Sequence, residues 1–146
     1  MVLFNQRPVL HCCAFVALLL IPFSLLADVV VVTGAKSSSI TLSKNQVSDV
    51  FLGKVASLPD GSSVIPIDLS ESSPLRDEFY LKVTNKSAAQ AKAHWAKLYF
   101  TGRGVPPREV TDSGDLKRIL NSTPSAIGYI ERSSLDSSVK VIFVVQ

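Results

Sequence analysis

The sequence is poor in the residues that build stapled or metal-held folds. Its two cysteines are adjacent, Cys12 and Cys13, and its two histidines, His11 and His94, lie far apart. Past residue 13 there is no thiol for a disulfide, and no Cys/His spacing fits zinc. His94 has no second histidine to pair with, so it reads as a structural or surface residue. Serines are numerous, but a nucleophile needs a partnered base and GxSxG is missing, so acyl transfer has no support. A dominant charge is lacking as well: fifteen Lys and Arg and twelve Asp and Glu are spread along the chain. No basic stripe interleaved with aromatics points to nucleic acid. What remains is a non-enzymatic domain that calls for no cofactor.

Apolar length is also in short supply. The N-terminus carries Arg7 and His11, then an apolar run over residues 12–26 interrupted by Pro22 and Ser24, and ends in SLLA before Asp28. A charged start, an apolar centre and a small residue at the cleavage point have the form of a secretory signal peptide over residues 1–27, cut after Ala27. The uninterrupted apolar part is shorter than the roughly 20 residues of a membrane span, and no stop-transfer charges follow. No stable membrane insertion is therefore expected after cleavage, and the expected location is periplasmic or secreted. A lipoprotein start is excluded, because Cys12 and Cys13 precede most of the apolar run. Cleavage leaves 119 of the 146 residues, 28–146, with no cysteine and a net charge near +2. That length suits one domain with one core.

Along residues 28–146 strand and helix signals alternate. DVVVVTG (28–34) is a β-branched run suited to a strand buried on both faces. LSKNQVSDVFLGK (42–54) has capping-box spacing at Ser43 and Gln46, an apolar face of Val47, Val50 and Phe51, and Gly53 to end it. Asp60 and Gly61 mark a turn before a strand over 64–69, where Pro66 suits an edge or a strand end. Ser73 and Pro74 start a second helix with Leu75, Phe79 and Val83 as its buried stripe. Ser87 and Gln90 repeat the capping box, ahead of a helix whose inner face is Ala88, Ala91, Trp95, Leu98 and Tyr99. Gly102 closes that helix, and Pro106 and Pro107 forbid its resumption, sending GVPPREV across the surface in extended form. Ser113 is the expected cap of a last short helix, and AIGYI and VKVIFVV supply two final strands. Strands separated by helices predict an α/β layer fold, a mostly parallel sheet with helices on its faces. Right-handed crossovers would set the helix N-termini beside the carboxyl ends of the strands, the ligand side of open α/β sheets.

The segments LSKNQVSDVFLGKVASLPDGSSVIPIDL, SSPLRDEFYLKV, HWAKLYFTGRGVPP and STPSAIGYI resemble successive segments of the periplasmic phosphate-binding proteins of ABC importers, over nearly all of residues 29–131. The resemblance implies a type 2 solute-binding fold and one lobe of a two-lobed clamp that closes on inorganic phosphate or a similar oxyanion. It also implies an ABC importer as partner, with the missing lobe supplied by a partner chain, a homodimer mate or nothing. In that family an Arg followed by Ser-Gly-Thr at a helix N-terminus holds the phosphate. Here Leu69 stands at the Arg position, and Ser73, Pro74 and Leu75 at the Ser-Gly-Thr positions. Pro74 has no N–H to donate and Leu69 has no charge.

Two groups of residues remain as candidates for an anion. Ser72, Ser73 and Arg76 stand at the start of the second helix, where backbone N–H groups and the helix dipole favour negative charge. An ordinary helix cap with a solvated arginine is the alternative there. Ser37, Ser38 and Ser39 follow the first strand and can cradle an oxyanion at its carboxyl end. A plain polar connection is the alternative for them. The competing functional reading is a one-lobe envelope interaction module that has lost its ligand.

Overall fold

The computed structural model describes residues 28–146, so the signal-peptide expectation for residues 1–27 lies outside the described residues. In chain order the elements are β1 (Val29–Gly34), α1 (Lys44–Phe51), β2 (Ile65–Leu69), α2 (Pro74–Thr84), α3 (Ala88–Phe100), β3 (Arg108–Val110), α4 (Ser113–Ser122), β4 (Ala126–Glu131) and β5 (Val139–Val144). The strands form one sheet in the order β3-β2-β4-β1-β5. β2 runs parallel to β3 and β4, while β1 runs antiparallel to β4 and β5. Four strands thus share a direction and β1 opposes them, which is the mostly parallel α/β sheet expected, with one strand reversed inside it.

Local chemistry accounts for most element ends. The capping boxes of α1 (Ser43, Gln46) and α3 (Ser87, Gln90) both form, each satisfying two otherwise orphaned N–H groups. Gly53 and Gly102, just past these helices, both sit at φ +69°, a left-handed conformation that glycine adopts without strain. Pro66 is the second residue of β2, ahead of the register with β3, which begins at Ile67. Its missing N–H therefore removes no bond on that side.

Three details differ from expectation. α4 is capped by Asp112, whose side chain accepts from the Asp115 N–H, one residue before Ser113; a carboxylate complements the helix dipole better than a hydroxyl. Tyr99 is 59 % exposed. The buried strip of α3 is Ala88, Ala91 and Trp95, and Tyr99 lies one turn beyond it, where the neighbouring helices no longer cover that face. Part of the extended GVPPREV segment becomes the edge strand β3.

Helices cover both faces. α4 lies so close that a Cβ on Gly34 would meet the Leu120 carbonyl oxygen at 2.2 Å, and one on Gly128 would meet Leu116 Cδ1 at 2.5 Å. The other face carries Phe51, Phe79 and Tyr129, with the Phe79 and Tyr129 rings stacked at 3.8 Å. Between these layers Val29, Val30, Val31 and Val32 have no exposure, as a strand buried on both faces requires.

The reversal of β1 decides which loops share an end of the sheet. Thr33 pairs with Ile127 and Ile65 pairs with Ala126, so the C-terminal end of β1 lies beside the N-terminal ends of β2 and β4. Helix starts do gather at the carboxyl ends of β2 and β3 for α2 and α4, whose Ser73 and Pro74, and Asp112 and Ser113, line one hollow. The loop holding Ser37, Ser38 and Ser39 falls at the opposite end. A single rim for all helix starts therefore does not occur, because an antiparallel strand delivers its loop to the far side.

Candidate functional site

At the α2 end, Ser73 takes the N-cap position in extended backbone, but its side chain makes no capping hydrogen bond. Pro74 at the first helical position has no N–H, and the Arg76 N–H already bonds to the Ser73 carbonyl. The Ser72 hydroxyl pairs with that of Ser70 at 3.1 Å. The hollow beside this tip, about 320 Å³, is also lined by Leu69, Asp112 and Glu131. Two carboxylates and no cation make it unfavourable for an anion.

Arg76 does not line this hollow. It is a buried residue, which corrects the solvated-arginine alternative. Its Nε donates to Asp68 Oδ2 at 3.0 Å, and its Nη2 stands 3.7 Å from Glu109 Oε1. The same Asp68 oxygen accepts from the Tyr80 hydroxyl at 2.9 Å. The other oxygen accepts from the Tyr129 hydroxyl at 2.5 Å and the Leu69 N–H at 2.9 Å. One buried carboxylate on β2 thus receives four donors, from two helix side chains, one strand side chain and the backbone. Burial pushes both tyrosine hydroxyls well above their ordinary pKa, and the Asp68 charge adds to this. Burial alone would disfavour the charged arginine, but the adjacent Asp68 carboxylate overrides it and raises the Arg76 pKa.

This network is the feature that sequence reasoning missed. Its signal was Asp68, a carboxylate in the otherwise apolar strand IPIDL. A charge at an inward strand position needs partners. Of its donors the sequence singles out only Arg76, and nothing local says that Arg76, Tyr80 and Tyr129 converge on Asp68.

At the other end, residues 33–40 form a shoulder of different character. Ser37 is only 8 % exposed, and its Oγ is buried without a hydrogen-bond partner. The Lys140 ammonium donates to the Ser37 carbonyl and to Ser39 Oγ. A hollow of about 270 Å³ opens here, lined by Lys36, Ser37, Ser38, Ser62, Ser63 and Ser125, among others. Asp60 also borders it. The Ser62 hydroxyl and amide bond to that carboxylate and hold its pKa below the ordinary range. Lys36 against one internally bonded aspartate, with several hydroxyls, forms a surface that an oxyanion can accept from, while Ser39 and Lys140, bonded to each other, lie outside the hollow's lining. The structure therefore parts the predicted residues into three places: Ser72 and Ser73 at the α2 tip, Arg76 in the buried network, and Ser37, Ser38 and Ser39 at the far shoulder. Among the described residues no group of His, Cys, Asp and Glu is arranged to hold a metal ion, and no helix is long and apolar enough to cross a membrane.

No protein-family model and no curated protein matches the chain. Solved structures do match. A chain described as a phosphate ABC transporter substrate-binding protein with bound phosphate, from Clostridium perfringens, aligns with a TM-score of 0.64 and 22 % identity, over 80 % of this chain and 44 % of its own length. An ABC-type phosphate transport receptor from Vibrio cholerae aligns at 0.63 and 18 % identity, over 80 % of this chain and 45 % of that one. PstS from Borrelia burgdorferi aligns at 0.60 and 13 %, over 80 % and 46 %. At such identities the likeness concerns the fold: the chain has the architecture of one periplasmic-binding-protein lobe and spans less than half the length of these proteins.

Proposed function

We propose that this chain is an extracytoplasmic, non-enzymatic solute-binding lobe, exported by a signal peptide over residues 1–27, that binds phosphate or a related oxyanion in the service of an ABC-type importer. Support for the ligand class comes from the fold it shares with phosphate receptors. The observation that carries the site is the buried, unpartnered hydroxyl of Ser37, a residue that lines the hollow together with Lys36. In this reading Ser37 and Ser38, which line the hollow, contact the anion, with Ser39 beside them bonded to Lys140, and the α2 tip does not. A hydroxyl buried without a partner costs about 1–3 kcal/mol, which a bound acceptor would recover once the Ser37 side chain turns toward the hollow. Contact from one lobe leaves the other side of the anion hydrated, so affinity is expected to be weak until a second lobe or chain covers it.

A second reading, an envelope interaction module without a ligand, is favoured by the α2 tip, where Leu69, Pro74, Asp112 and Glu131 leave no cation for an anion to meet. Thermal unfolding against phosphate, sulfate and related oxyanions separates the two. A ligand at a hundred times its dissociation constant stabilises by about 2.7 kcal/mol. Ser37→Ala should abolish the resulting shift at little cost to the unliganded protein, and Ser73→Ala should leave the shift intact. The reverse pattern moves the site to α2, and no shift with any anion selects the interaction module.

A further inference from the structure

A third hollow, on the α3 side, lies apart from the hollow beside Ser37 and is lined in part by Asp68, Arg76 and Glu109 of the buried network. It holds about 280 Å³ and is walled by Trp95, Ala96 and Tyr99 of α3 and by Pro106 and Pro107. Beside it large apolar side chains stand in water: Phe100 is 85 % exposed and Val105 76 %. Phe100 both borders the hollow and projects beyond it. Adjoining exposed aromatics of this kind mark an association surface. A patch that carries its own projection and its own cavity is also self-complementary, as a twofold contact requires. A residue that is wall and projection at once suits a place near such an axis. An apolar cavity of roughly 150 Å³ already takes a benzene ring, so one phenyl group fits here.

Charge runs the same way. Exposed Lys97 and Arg103 flank Phe100 in the chain, while the hollow is bordered by Glu71, paired with Lys92, and by Glu109, 3.7 Å from Arg76, with Asp68 beside them. Across a twofold axis the cations of one copy would face a lining that keeps one net negative charge, three carboxylates against two cations.

We propose that two copies of this chain associate through this patch, Phe100 of each entering the α3 hollow of the other. The patch shares no lining residue with the hollow beside Ser37, so an anion can reach its shoulder in the dimer. Sedimentation velocity of the exported protein over a wide concentration range tests the proposal, with a reversible monomer–dimer equilibrium as the expected result. Phe100→Ser removes the projection and Ala96→Trp fills the cavity. Each should weaken the dimer about thirtyfold or more, the loss a central aromatic carries, with circular dichroism and monomer unfolding unchanged because both positions are exposed. Arg103→Glu should weaken it less and change its salt dependence. A monomer at every concentration overturns the proposal, and so does a dimer that survives both Phe100→Ser and Ala96→Trp.

Discussion

The two ends of the sheet are furnished with the same residue type, serine, and differ in what happens to the charges behind it. At the α2 end Arg76 is turned to Asp68 and Glu109, and the hollow at the tip keeps only the carboxylates of Asp112 and Glu131. At the β1 end Lys36 borders the hollow and Lys140 binds the loop from outside, while a buried hydroxyl is left without a partner. Serine density therefore says little about anion binding. What distinguishes the two ends is whether the nearby cation has already been neutralised by the fold.

The sharpest way to break that contrast is at Asp68. Asp68→Ala leaves Arg76 buried without its carboxylate and should cost about 3–5 kcal/mol in denaturant unfolding. The double variant Asp68→Ala with Arg76→Met should cost less than the two single changes added together. Additive losses would mean that the two residues do not act as a unit.

A second test uses pH. Tyr80 and Tyr129 have folded-state pKa values raised above the ordinary 10.0, by burial first and the Asp68 charge second. Their contribution is fully present below the unfolded value and is lost as pH rises toward the folded one, because above pH 10 the unfolded chain releases protons that the folded chain retains. Stability should fall by on the order of 1 kcal/mol per tyrosine for each pH unit above about 10. Substituting both by Phe should flatten the profile in that window, and an unchanged slope would remove the tyrosines from the explanation.

Packing against α4 comes next. A methyl on Gly34 meets the Leu120 backbone oxygen, whereas one on Gly128 meets the Leu116 side chain. Both Ala variants should lose about 1–3 kcal/mol by overpacking, with Gly34 the costlier because a backbone cannot step aside as a rotamer can. Equal melting temperatures would show that α4 moves as a body.

The smallest effect compares the helix caps. Ser43 and Ser87 receive N–H bonds from Gln46 and Gln90, whereas the Ser73 side chain receives none. Ser43→Ala and Ser87→Ala should each cost about 1 kcal/mol. Ser73→Ala should change unfolding hardly at all, and a loss equal to the others would mean that its hydroxyl caps the helix in solution.

Much of the fold was legible from short stretches. The two capping boxes, the glycines past α1 and α3, the valine run of β1 and the placing of Pro66 all depend on neighbours a few residues away. Misplacements came where the environment is distant. Tyr99 shares a helical periodicity with Trp95, but whether its face is covered depends on how far the neighbouring helices reach. The candidate site was legible in residue type and not in position. The sequence names Ser37, Ser38 and Ser39 as anion candidates without the rim on which they lie, and Arg76 without its partner Asp68.

The sequence by itself determined most helix starts and stops, four of the five strands, and that the layers are α/β, because capping, backbone restriction and hydrophobic period act over a turn or two of chain. Only the tertiary structure decided that β1 enters the sheet reversed and that Asp68 draws Arg76, Tyr80 and Tyr129 to a single carboxylate. Strand pairing joins residues as far as 114 positions apart, as between Val30 and Val144, and buried-charge neutralisation joins Asp68 to Tyr129 across 61. No local preference encodes such a meeting; it is fixed when the layers close and each buried polar group must find whichever partner the packing has brought near.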